Sequence, residues 1–215
     1  DPDARISLAV TSLFWAASAT LQFMVLRFAA ERLGLKLSQG ALLQIAVAIG
    51  MALGALGASR WFPLPRARRA LPLGVVLGAT VLLMTLVTQP IVAAVLLVAI
   101  GALAGLLLVP MNALLQSRGL LRMNPGQSIA VQNFNESLAS LAMLGVYGAL
   151  LYFDAPLLPT LAGFGGFLVL AMAGIFFLVS ALVGFVEVMP QGRTDNVARA
   201  VLNSHPDGSL ITERK

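Results

Sequence analysis

The run IVAAVLLVAIGALAGLLLVPMNALLQ, residues 91–116, carries no charged side chain anywhere along its length. A helix rising about 1.5 Å per residue needs roughly 20 apolar residues to cross a bilayer. This run is long enough, and it predicts a membrane-spanning helix. Leu, Ala, Val and Gly dominate it without period-2 alternation, which argues against a β-barrel strand.

Five further stretches of the same kind flank it, at about 6–30, 38–60, 71–88, 127–152 and 158–186. Turn signals such as Thr88-Gln89-Pro90 and Asp154-Ala155-Pro156 separate neighbours. The expected fold is therefore an all-α membrane protein, a six-helix transmembrane bundle over residues 1–188. A polar tail, 189–215, follows it, and within the tail NVARAVLNS is expected to form a short helix.

Composition agrees. Of 215 residues, 59% are hydrophobic and 11% charged, whereas soluble domains sit near half and about a quarter. Cysteine is absent and the lone histidine, His205, falls in the tail. That removes a thiol nucleophile and a cysteine metal site, and the spans show no GxSxG motif and no cluster of metal-ligating residues. The chain reads as a non-enzyme without a cofactor or metal. It opens DPDARIS, with no initiator Met, and is read as a fragment or a processed product.

The net charge of +5 could indicate nucleic acid, but the basic residues fall mainly between hydrophobic runs and lack aromatic interleaving. They report topology instead. Arg5, Arg60, Arg66, Arg68, Arg69, Arg118, Arg122 and the four basic residues of the tail fall on one side. Only Arg32 and Lys36 lie in the loops of the other. Basic loops stay in the cytoplasm, so both termini are expected there.

Small residues recur every fourth position: Ala46, Gly50, Gly54 and Ala58; Gly74 and Gly78; Gly101 and Gly105. Each set makes a flat helix face that lets a neighbouring backbone approach closely. Packing alone is reason enough for them.

The fifth span breaks the pattern with SIAVQNFNESLAS, 128–140. Positions four apart share a helix face, so Ser128, Gln132, Glu136 and Ser140 form one stripe, with Asn133 and Ser137 beside it. Glu136 sits about 14 Å from the start of the span at residue 127, near the midplane. A carboxylate facing lipid there would cost several kcal/mol. It must be protonated, paired, or turned toward a wet cavity. One reading is a buried hydrogen-bond hub with Glu136 neutral; the other, favoured by six polar side chains on one face, is a water-lined path. The first span adds Thr11, Trp15, Ser18 and Gln22 at helical spacing, and the fourth adds Asn112 and Gln116 after Pro110. Interfacial capping would also account for Asn112 and Gln116. Arg27, toward the outer end of the first span, is expected to snorkel.

Several motifs line up with one family. TSLFW (11–15), VPMNALLQSRG (109–119), IAVQN (129–133) with Glu136, MLGVY (143–147) and PTLAGFG (159–165) resemble the bacterial lysophospholipid transporters of the major facilitator superfamily. The resemblance runs from about residue 10 to about residue 180. It implies the C-terminal six-helix half of a twelve-helix transporter in the bacterial inner membrane, with an N-terminal six-helix half as partner. The implied activity moves lysophosphatidylethanolamine and lysophosphatidylglycerol to the inner leaflet. There an acyltransferase/acyl-acyl-carrier-protein synthetase reacylates them. The implied site comprises Trp15, Asn112, Gln116, Gln132, Asn133 and Glu136, and Ser18 and Gln22 join it through the first-span stripe. Gln22 stands where the family pattern carries Arg, and Asn135 where it carries Gly. The alternative cargo within the same superfamily is a drug or small solute.

Overall fold

The computed structural model describes residues 2–119 and 124–188, all of whose regular elements are helical. Six helices follow in order: α1 (Pro2–Glu31), α2 (Leu37–Trp61), α3 (Leu71–Leu83), α4 (Pro90–Gly119), α5 (Pro125–Tyr152) and α6 (Leu157–Val188). Each lies in a span long and apolar enough to cross a membrane, and the protein is a multi-pass membrane protein. The third span differs from expectation. Its α-helix is short, flanked by 3-10 turns at Leu64–Ala70 and Met84–Leu86; at the entry, Pro63, Pro65 and Pro72 each lack an N–H and fix φ. The tail and its expected NVARAVLNS helix lie outside the described residues.

Residues up to Phe177 make one compact unit, and Leu178–Lys215 make a second, whose described part is the end of α6. Within the first unit, α1 feeds Phe14, Met24 and Phe28 into the core, α4 feeds Leu97 and Ile100, and α6 feeds Leu161 and Leu168. In lipid these contacts act through close packing, since hydrocarbon tails are as apolar as the side chains themselves.

The small-residue stripes set the seams. α2 lies along α4, and a Cβ added at Gly50 would run into the Val98 carbonyl, one at Gly54 into that of Ala102, and one at Gly101 into that of Val47. Only glycine lets these backbones touch. Gly74 and Gly78 perform the same service for α3 against Met172 and Val169 of α6.

Two turns end helices in the left-handed region. Gly34, at φ 63°, follows α1, where no Cβ opposes it. After α5, Asp154 adopts φ 51°, with Ala155 N–H donating to Leu150 O at 2.9 Å and Asp154 N–H to Leu151 O at 3.0 Å. That paired pattern closes the orphan carbonyls of the last turn.

Candidate functional site

α5 begins cleanly because Asn124 is extended and Pro125 occupies the first helical turn, where its missing N–H has no intrahelical partner to lose. Beyond that point the helix lies along α1 and is otherwise thinly covered. Only 6% of its apolar window is buried inside the protein, against 44% for α1 and for α4. The polar stripe of α5 is therefore not sealed into a dry core: Ser128, Gln132, Glu136 and Ser140 are all half-buried, while Asn133 and Ser137 are exposed.

Three of the expected residues meet there. Gln132 donates from Nε2 to Asn112 Oδ1 of α4 at 3.0 Å and to Glu136 Oε1 of α5 at 2.8 Å. An amide nitrogen has two hydrogens, and each has found an oxygen. The amide thus aims one carboxylate oxygen and ties α5 to the neighbouring helix, leaving the second carboxylate oxygen and the Gln132 carbonyl able to accept further bonds. Asn133 and Gln116 sit one position and one turn away and are exposed. Asn135 bonds its own helix, donating to Val131 O at 2.8 Å. The sequence left a buried hydrogen-bond hub and a water-lined path as alternatives; the structure ties Gln132 to Asn112 and Glu136 on a half-buried stripe.

The first-span residues go elsewhere. Trp15, Ser18 and Gln22 line a cavity of about 250 Å³ shared with α2, α3, α4 and α6, whose walls do not include Asn112, Gln132 or Glu136. Thr11 leaves the stripe altogether, since it is buried and its hydroxyl donates to Leu8 O at 3.2 Å. A residue not singled out by the sequence reading joins this cavity: Gln44 of α2, whose Nε2 donates to Gln22 O at 3.2 Å. A glutamine inside the apolar run ALLQIAVAIG was the available signal, because intramembrane amides seek partners across helices.

A larger cleft of about 720 Å³ lies between α5 and α6 over α1. Its α5 wall includes Ala139, Met143 and Tyr147, which by helical spacing continue the face that carries Gln132 and Glu136. The lining is almost wholly apolar. One helix thus presents a polar edge at midspan and an apolar groove toward its C-terminal end. Among the described residues no group of His, Asp or Glu side chains could hold a metal ion.

No family model matches the chain, and no solved structure matches it. Curated relatives do. The chain is 38% identical over 175 residues to proteins named Lysophospholipid transporter LplT from Escherichia coli O157:H7 (strain EC4115) and from Shigella boydii serotype 4 (strain Sb227). The match takes in 81% of this chain and 44% of each relative. The chain therefore spans less than half the length of the curated relatives it matches.

Proposed function

We propose that this chain supplies six helices, the C-terminal half in a major-facilitator arrangement, of a transporter that moves lysophospholipids across the bacterial inner membrane. Both termini lie in the cytoplasm on this reading, and the cargo moves from the outer to the inner leaflet, where reacylation by an acyltransferase/acyl-acyl-carrier-protein synthetase consumes it. The relatives' transporter name supports the cargo. The observation that carries the mechanism is the Asn112–Gln132–Glu136 chain of hydrogen bonds, open along one side at midspan.

A single-chain lipid poses two problems in a bilayer. Its headgroup needs hydrogen-bonding partners through the hydrocarbon, while its acyl chain does not. An amide-and-acid edge on a thinly covered helix answers the first, and an apolar groove on the same helix answers the second. Glu136 pairs with the ethanolamine ammonium, and Gln132, Asn133 and Asn112 bond the phosphate and glycerol oxygens and hydroxyl. Rocking of one six-helix half against the other around this path gives alternating access.

The test places this chain with an N-terminal six-helix half in membrane vesicles and follows uptake of lysophosphatidylethanolamine. Glu136→Gln keeps the shape and removes the charge, and uptake falls by about tenfold or more, the scale of one hydrogen bond to a charged group. Normal uptake by a well-expressed Glu136→Gln protein rejects the role.

A further inference from the structure

We propose that the loop between α2 and α3 binds anionic phospholipids of the surrounding bilayer, Arg60, Arg66 and Arg69 taking the phosphate while Trp61 lies against the acyl chains. The site rests on the membrane spans alone and asks nothing of the midspan cluster or of the cargo.

The loop is a built platform. Residues Leu64–Ala70 form a 3-10 turn that packs on α4. Such a helix has three residues per turn, so side chains three apart eclipse one another. Ala67 and Ala70 share one ridge and are buried, at 1% and 0% exposure, which anchors the turn to the bundle. Arg66 and Arg69 share another ridge, and both are exposed. At about 2 Å of rise per residue they stand about 6 Å apart along the axis. Arg60, exposed in the last turn of α2, guards the entry to the loop.

The chain does little to neutralise these charges. Between Arg32 and Asn135 the sequence contains no Asp or Glu. Among the described residues Arg60, Arg66 and Arg69 take part in no ion pair. Arg68 is half-buried and is left out of the site. Guanidinium groups present planar forks of N–H donors that match phosphate oxygens, so the ridge suits a phosphate from outside the protein.

The neighbouring apolar groups select a lipid over a soluble phosphate. α2 ends on Trp61, which is 64% exposed. Its ring folds back over its own helix, where a Cβ added at Gly57 would stand 3.2 Å from Cζ3. The indole therefore lies on the bilayer side of the arginines, the depth at which such rings gather in membrane proteins. Leu64 adds a second exposed apolar side chain beside it. The headgroup follows from the charges. A zwitterionic lipid brings an ammonium that the arginines repel and that no nearby acid in the sequence receives, whereas an anionic lipid brings only the phosphate.

Trp61 can report the site directly. Trp15→Phe leaves it as the one indole of the chain. That protein is placed in phosphatidylcholine vesicles carrying a small, equal fraction of phosphatidylglycerol or phosphatidylcholine brominated high on the acyl chains. The emission comes from the loop, so lipid held at midspan does not enter it. At low salt brominated phosphatidylglycerol quenches several-fold more steeply than brominated phosphatidylcholine. At about 1 M salt, where the Debye length is about 3 Å, the preference falls away. Arg60→Gln, Arg66→Gln and Arg69→Gln each lower it by about fivefold at most, the effect of one cation near an anionic surface. Arg32→Gln with Lys36→Gln, in the loop between α1 and α2, leaves it unchanged. Equal quenching by the two lipids at low salt overturns the site, as does a preference that survives the triple arginine substitution or high salt. The salt comparison keeps the parental loop, so it decides even if the substituted proteins fail to fold. Loss of the preference in the Arg32 and Lys36 variant makes it a matter of net charge and overturns the assignment to this loop. Loss on adding inorganic phosphate at matched ionic strength gives the arginines to a soluble anion and overturns the lipid assignment.

Discussion

Gln132 hands one amide hydrogen to Glu136, 2.8 Å away and one turn along the same helix. Its other hydrogen goes to Asn112 on α4, so the orientation of the acid is coupled to the spacing of two helices. A double-mutant cycle with Asn112→Ala and Gln132→Ala, read by unfolding in mixed micelles, is expected to give a coupling of about 0.6 kcal/mol and no more than about 2, the range for interhelical side-chain bonds in membranes. Strict additivity would remove the link between α4 and α5.

The seam of α2 and α4 leaves no room for a side chain. Gly101→Leu is expected to cost about 3 kcal/mol or more through overpacking against the α2 backbone. Gly145→Leu, placed on α5 where an added Cβ meets nothing, is expected to stay within about 0.5 kcal/mol of the parent. Thermal unfolding of the two variants in one detergent makes the comparison.

At the end of α5 the left-handed backbone falls on Asp154 rather than glycine. Asp154→Val is expected to destabilise by about 1–2 kcal/mol, because a β-branched side chain crowds the carbonyl in that conformation. Asp154→Gly relieves the same crowding and is expected to unfold no earlier than the parent. The same unfolding scan checks both.

Gln44 holds α2 to α1 through a single bond to the Gln22 carbonyl. Gln44→Leu is expected to change stability by less than about 1 kcal/mol while making the 250 Å³ cavity wholly apolar on that wall. A polarity-sensitive probe attached at Ser18 should report the drier environment, and unchanged emission counts against Gln44 facing that space.

How much of this was readable from the sequence depends on which physics wrote it. The six helices were legible because each is long enough and apolar enough to be recognised one at a time. The glycine seams were legible because spacing by four is a property of a single helix. The 3-10 turns around α3 were not, since residue spacing over one or two turns does not separate 3-10 from α geometry. The α5 stripe was legible for the same reason as the seams, but its bond to Asn112 required knowing which neighbour α4 turns toward α5. Trp15, Ser18 and Gln22 show the limit most clearly. Their periodicity fixes a face on α1 and says nothing about the rotation that sends that face into a different cavity from Glu136.

Backbones that touch at Gly50, Gly54 and Gly101 cannot slide or roll past one another without atoms overlapping. α2 and α4 must therefore travel as a single strut in any cycle of opening and closing. On α5, the helix that carries the acid, a Cβ added at Gly126, Gly145 or Gly148 meets nothing within 4 Å, so these positions give it no such lock.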